Sequence, residues 1–221
     1  MLSRHFQNFS IFLVLLNFSL GAQAQTSPDS QIKHRVFFIG DSTMATKNGY
    51  GDAVCDWLKG HAECLNLAKN GRSSKSFKEE GLWGQALDQM KNNPKQLNQW
   101  VLIQFGHNDE SVEKVDRYAS PEVFKSNLVK FVTEARAKKA IPILCTPVSR
   151  RKFDTLGNAL ETHIAYSSYV KEVAEQEKAL FIDLDSKSRA LYQHFGKENS
   201  TLLFLQLKAG EHPNYPDGKI D

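Results

Sequence analysis

The chain has 221 residues, 41% of them hydrophobic, with 28 basic against 25 acidic side chains and a formal charge of +3. So even a balance excludes the concentrated basic surface that bulk nucleic-acid binding needs, and the length suits one domain with a sizeable core. The three cysteines are too few for a disulfide framework. In an oxidising compartment Cys55 and Cys64 could pair and leave Cys145 odd, but the plainer expectation is three buried thiols.

The first residues read as a processing signal. Arg4 supplies a positive start, Ile11 to Leu20 an apolar core, and Ala22-Gln23-Ala24 a small-residue cleavage site. That core is too short to span a bilayer. Residues 1–24 are therefore expected to be a signal peptide cleaved before Gln25, with export to the periplasm or outside the cell. Residues 25–33 are polar and read as a linker, and 34–221 as the folded domain.

The domain opens on the apolar run Val36 to Ile39, which stops abruptly at Gly40-Asp41-Ser42-Thr43. An apolar run bounded by glycine and small polar residues predicts a buried strand entering a turn. Ser42 there is either a candidate nucleophile or part of a cap on the next helix. A helix is predicted over Tyr50 to Leu58, and a second strand over Cys64 to Ala68. Lys69-Asn70-Gly71-Arg72-Ser73-Ser74 is a loop by composition. Leu82, Ala86, Leu87 and Met90 fall at helical spacing, and Asn92-Asn93-Pro94 stops that helix.

A third strand, Trp100 to Phe105, ends at Gly106-His107-Asn108-Asp109. From Pro121 onward Val123, Phe124, Leu128, Phe131, Val132 and Ala135 mark a helix with Ser120 as its cap. Ile141 to Cys145 is a fourth strand leading into Thr146-Pro147-Val148-Ser149-Arg150-Arg151. Helix over Tyr166 to Gln176, strand over Leu180 to Leu184 and helix over Ser186 to Phe195 complete the pattern. This alternation predicts a parallel sheet covered by helices on both faces. A parallel sheet brings Gly40-Asp41-Ser42, Asn70-Gly71-Arg72 and Gly106-His107-Asn108-Asp109 to one edge. An attacking oxygen and donors for an oxyanion are the inventory of acyl transfer. No zinc spacing, phosphate-binding loop or dinucleotide turn is present.

At these residues the chain resembles the SGNH, or GDSL-type, hydrolases: Gly40-Asp41-Ser42 matches the first block of the family, Gly71 the second and Gly106-His107-Asn108-Asp109 the third. The G-x-S-x-G elbow of α/β-hydrolases is absent. The rhamnogalacturonan acetylesterase branch is more similar still, over Gly40 to Ala45, Gly71-Arg72-Ser73, Phe105 to Asp109, Thr146 to Arg151 and Gly210 to Gly218. The resemblance runs from Arg35 to Asp221. One departure is Gly49-Tyr50-Gly51-Asp52, where the branch commonly has Gly-Trp-Gly-Gln.

The resemblance implies a flavodoxin-like three-layer α/β/α sandwich, the SGNH hydrolase fold. It implies an acetyl ester hydrolase acting on a pectic polysaccharide, with an acetylated poly- or oligosaccharide as partner. Neither nucleic acid, nor a membrane after signal cleavage, nor any metal or organic cofactor is called for. Ser42 becomes the nucleophile, the N–H groups of Ser42 and Gly71 and the Asn108 amide the oxyanion donors, and Asp221 the carboxylate that orients a histidine base. The fourth block of the family is Asp-x-x-His, and this sequence stops at Asp221. The domain is therefore expected to be incomplete at that end, inactive or weakly active, and to expose apolar surface where a further helix packs. Among the histidines present only His212 is weighed as a substitute base; His107 is expected to brace its loop, and His61, His163 and His194 to be surface or packing residues. Arg150 and Arg151 are candidates for recognising galacturonate carboxylates, and Lys75 for a solvated rim. Alternatives are an esterase for xylan or another glycan, a short-chain esterase, or a non-catalytic glycan-binding protein if the chain ends at Asp221.

Overall fold

The computed structural model of the chain describes residues 32–204; the expected signal peptide, His212 and Asp221 lie outside them. Five strands form one sheet: β1 (His34–Gly40), β2 (Ala62–Asn66), β3 (Asn98–Gln104), β4 (Ala140–Cys145) and β5 (Leu180–Ile182). Every pairing is parallel, and the order is β2-β1-β3-β4-β5. From β1 the chain steps one way to β2 and then the other way to β3. The strand order therefore reverses beside β1, and ligands of open α/β sheets bind at such a reversal, beyond the carboxyl ends of the strands.

The described residues also form six α-helices, α1 (Gly51–Trp57), α2 (Ser74–Glu79), α3 (Leu82–Lys91), α4 (Pro121–Ala137), α5 (Ile164–Gln176) and α6 (Leu184–Asn199), and a short 3-10 turn, Ser200–Leu203. The largest is α4. The Ser120 hydroxyl accepts from the Val123 N–H at its start, Pro121 fills the first turn, and Phe124, Leu128, Phe131, Val132 and Ala135 are buried on one stripe. That stripe packs with Phe77 of α2, Trp83 and Met90 of α3 and Val170 of α5 against Phe37, Ile39, Val101, Ile103 and Leu144 of the sheet. The opposite face carries Val36, Phe38, Trp100 and Leu102, with Val54 of α1 and Leu58 just after it over part of it. An apolar groove of about 390 Å³ remains there, lined among others by Leu58, Trp100, Leu102 and Ile143. Ile141 and Leu180 on the adjoining strands are 40% and 51% exposed.

Four local expectations need correction. α2 is not anticipated because its six residues carry a single apolar anchor, Phe77. It forms because Ser73 and Ser76 make a reciprocal capping box. β2 starts two residues earlier than expected and ends at Asn66. The backbone beyond still follows β1, with Leu67 N–H donating to Phe38 and Lys69 N–H to Gly40. β5 stops at Ile182, because Asp183 caps α6 by accepting from the Ser186 N–H and hydroxyl.

The fourth correction concerns the thiols. Cys55 and Cys64 form a disulfide with their Cα atoms 5.4 Å apart, and only Cys145 is free and buried. The bond joins α1 to the sheet edge. Sequence spacing alone could not show that α1 folds back onto β2 with both side chains facing each other. In the chain-entropy account so short a loop contributes about 2–3 kcal/mol. Guanidinium unfolding followed with and without dithiothreitol should show a loss of that size, and a Cys55→Ala/Cys64→Ala variant should show it without reductant.

Candidate active site

The turn after β1 is held from beneath by a buried polar chain. The Tyr50 hydroxyl donates to Gln104 Oε1 (2.7 Å), Gln104 Nε2 to Thr43 Oγ1 (2.5 Å), and the Thr43 hydroxyl to Asp41 Oδ1 (2.8 Å). The same oxygen accepts from Thr43 N–H at 2.9 Å. Asp41 is fully buried and its Oδ2 has no partner. Burial pushes its carboxyl up to about 6, against the pull of the Thr43 bonds. Ser42 rides on this turn, half-buried. It does not cap a helix. α1 begins nine residues later with Tyr50 at its N-cap, so the structural alternative for Ser42 falls away.

The Gly49-Tyr50-Gly51-Asp52 departure has a local account. A Cβ on Gly49 or Gly51 would lie 2.3 Å from the carbonyl oxygen of Thr43 or Met44, so both glycines are required by close approach. Asp52 takes bonds from Asn66 Nδ2, the Lys47 N–H and the Thr46 hydroxyl, which clamp the turn to β2. The first of these is the largest influence holding its carboxyl below the ordinary value.

The loops after β2 and β3 are tied to each other. Asp109 accepts from Ser74 N–H (2.9 Å) and Ser74 hydroxyl (2.5 Å) with one oxygen and from Gly106 N–H (3.1 Å) with the other. It is fully buried, and burial pushes it up to about 7 although the Ser74 bonds favour the anion. Asn108 Nδ2 donates to the carbonyl of Arg72 at 2.9 Å. Gly71, next to Arg72, has φ +72°, a left-handed conformation that glycine adopts without strain. Gly106 has φ +141°, and a Cβ there would press to 2.9 Å from Pro147.

The loop after β4 closes a further side. His107 Nε2 donates to the Val148 carbonyl at 2.6 Å, so this histidine braces the third loop to the fourth. Burial, with the nearby His163 and Arg150 adding to it, holds His107 well below the ordinary histidine range. Its ring lies 4.2 Å from that of His163, itself fully buried with Nδ1 2.9 Å from Glu110 Oε1. Arg150 reaches the same Glu110 oxygen at 3.1 Å and the His107 carbonyl at 3.3 Å. Burial works against the Glu110 anion, yet His163 and Arg150 together hold its carboxyl below the ordinary value. Arg151 donates to the Lys197 carbonyl, and Lys75 to that of Val115.

The structure thus gathers Gly71 and Asn108 through the Arg72 contact, beside the β1 end that carries Ser42. Gln104 and Glu110 are not legible in the sequence, since a lone polar residue beside a strand end carries no periodic or motif signal. Among the described residues no group of three or more His, Cys, Asp or Glu is placed to hold a metal ion, and no helix is long and apolar enough to cross a membrane.

Residues 38–215 match the GDSL-like lipase/acylhydrolase family. The chain belongs to that family. Rhamnogalacturonan acetylesterase RhgT of Bacillus subtilis is 35% identical over 194 residues, covering 85% of this chain and 80% of that protein. Two solved structures share the fold. The YxiM protein of Bacillus subtilis has a TM-score of 0.63 at 23% identity over 80% of this chain, which spans half of that one. Axe2, an acetylxylan esterase from Geobacillus stearothermophilus, has a TM-score of 0.55 at 19% identity, over 72% of this chain and 80% of that one. As a GDSL acylhydrolase the protein is a carboxylic ester hydrolase.

Its two raised carboxyls set a pH dependence. An unfolded aspartate titrates near about 3.9, whereas Asp41 and Asp109 hold protons up to about 6 and about 7. Between those limits the folded chain binds more protons than the unfolded one, so these groups make stability fall as pH rises from about 4 to about 7. Asp41→Asn, which supplies a neutral group where Oδ2 has no partner, should flatten that part of the profile. The check is the guanidinium midpoint of both proteins across the window.

Proposed function

We propose that this esterase is exported and removes acetyl groups from a pectic glycan of the rhamnogalacturonan type, using Ser42 as nucleophile. The observation that carries the reading is the closure of the β2 and β3 loops over the end of β1. Asn108 is bonded to Arg72, next to Gly71, and Asp109 to Ser74 and Gly106. Two candidate donors thereby lie on loops tied to each other, one on either side of the strand that leads into Ser42. The likeness to a rhamnogalacturonan acetylesterase over most of both chains supports the substrate class, and the disulfide accords with an oxidising compartment.

In this mechanism Ser42 Oγ attacks the acetyl carbonyl while its proton passes to a histidine. The carbonyl oxygen becomes an oxyanion that takes hydrogen bonds from the N–H groups of Ser42 and Gly71 and from the Asn108 amide. Collapse of the tetrahedral intermediate expels the sugar hydroxyl, which recovers the proton, and leaves acetyl on Ser42. Water then repeats the sequence and releases acetate. Asp221 is assigned to orient the histidine. His107 is unsuited to be that base, because its Nε2–H is committed to Val148.

Arg150 and Arg151 are assigned to the galacturonate carboxylates. Arg150 is held by Glu110 and the His107 carbonyl, with its side chain still 40% exposed, so a pre-positioned guanidinium edge remains for an incoming anion.

Three measurements test the reading in the full-length enzyme. Ser42→Ala should lower acetate release from acetylated rhamnogalacturonan by at least about 10³-fold, and release from acetylated xylan should be slower than from the pectic substrate. Faster release from xylan would reassign the glycan. Arg151→Glu should raise KM on acetylated pectin fragments about tenfold or more, as expected for one charge-assisted contact of about 1.5–3 kcal/mol, while leaving KM on a small neutral ester nearly unchanged.

A further inference from the structure

Arg117 lies in the segment between β3 and α4, and nothing in the motifs points to it. That segment is folded by short turns: Lys114 N–H donates to Ser111, Arg117 N–H to Lys114, and Ala119 N–H back to Asp109. Lys75 Nζ holds it from outside by donating to the Val115 carbonyl. The result carries the Arg117 side chain back over the loops after β2 and β3. Its Nη1 lies 3.5 Å from Asn108 Oδ1, and a Cβ built on Gly71 would stand 3.3 Å from the same nitrogen. The side chain is 29% exposed, and its ion pair with Asp116 at 3.3 Å joins it to a carboxylate 72% exposed. Such an exposed pair contributes little by itself.

We propose that Arg117 is a positioning residue for the oxyanion site, locking the Asn108 amide by its contact with Oδ1 and keeping a positive charge beside Gly71. This rests on the oxyanion reading of Asn108 given above. An asparagine amide can turn over, exchanging its oxygen and nitrogen. Here the turned form would set NH2 against a guanidinium and oxygen against the Arg72 carbonyl, so both contacts oppose it. In the held form one Nδ2–H is spent on Arg72. The second keeps donor capacity, and the guanidinium at Oδ1 polarises the amide so that this N–H becomes a stronger donor.

The test uses the full-length enzyme and 4-nitrophenyl acetate, a neutral ester with no carboxylate for an arginine to bind. Arg117→Ala should lower kcat about tenfold with little change in KM, a coupling typical of residues sharing one hydrogen bond. Arg117→Lys, which keeps the charge, should recover part of the loss. In an Asn108→Ala background the further loss from Arg117→Ala should shrink to about twofold or less. An unchanged kcat, or an undiminished loss in that background, overturns the proposal, as does an effect seen only in KM on an acidic glycan. A readout independent of turnover is the Asn108 side-chain amide in the ¹⁵N-labelled protein. Its protons should exchange with solvent faster in Arg117→Ala, and unchanged exchange also overturns the proposal. If Asn108→Ala alone keeps full activity, the oxyanion reading fails instead, whatever the amide exchange shows.

Discussion

The carboxylate of Asp109 holds together two loops that no strand ladder joins. β2 and β3 both pair with β1, one on each side, so the loops that follow them leave the sheet two strands apart. To meet, they must lean across the end of β1. Asp109 brings this about by accepting from Ser74, 35 residues earlier, and from Gly106 on its own loop. Asn108 adds a second tie through Arg72. Ser42 lies at the strand end over which these loops close, so the positions of Gly71 and Asn108 relative to the serine depend on this buried acid and on the Asn108–Arg72 tie.

A second buried acid, Asp41, plays the same part for the first loop. The donors run in one direction, from Tyr50 through Gln104 and Thr43 to the carboxylate, which fixes the hydrogen-bonding sense of the turn. Both acids are costly to bury as anions, and their carboxyls are raised for that reason. Their loops exchange conformational freedom for geometry. Rigid donors aimed at a developing charge need no reorganisation when it appears, and that economy is the main source of electrostatic catalysis.

Most of the fold is legible in the sequence because it rests on period. Val36 to Ile39, Trp100 to Phe105 and Ile141 to Cys145 are short apolar runs closed by small polar residues, and α4 shows its stripe and cap plainly. Where period is absent, legibility ends. α2 depends on two serines bonding to each other's backbone, and β5 is shortened by Asp183 acting as a cap. The disulfide depends on how α1 folds back on β2. The site divides the same way. Ser42, Gly71 and Asn108 stand in motifs, whereas Gln104, Glu110 and Arg117 matter only through contacts with residues 9 to 63 positions away. Such pairings arise from tertiary packing and leave no local trace.

The strand order also separates two tasks around the site. The proposed oxyanion donors come from the β1, β2 and β3 ends, on the side anchored by Asp109. The loop after β4 stands on the other side of β3, joined to it by His107 bonding to Val148 and by Arg150 bonding to Glu110. A substrate whose acetyl carbonyl faces the first set would extend its sugar toward the second. The Glu110 carboxylate lies between Arg150 and the buried His163, 3.1 Å from the one and 2.9 Å from the other, and still leaves Arg150 partly exposed. On the proposed reading, replacing the residues of the β4 loop alters which glycan is accepted without disturbing the bonds that hold the loops together around Ser42.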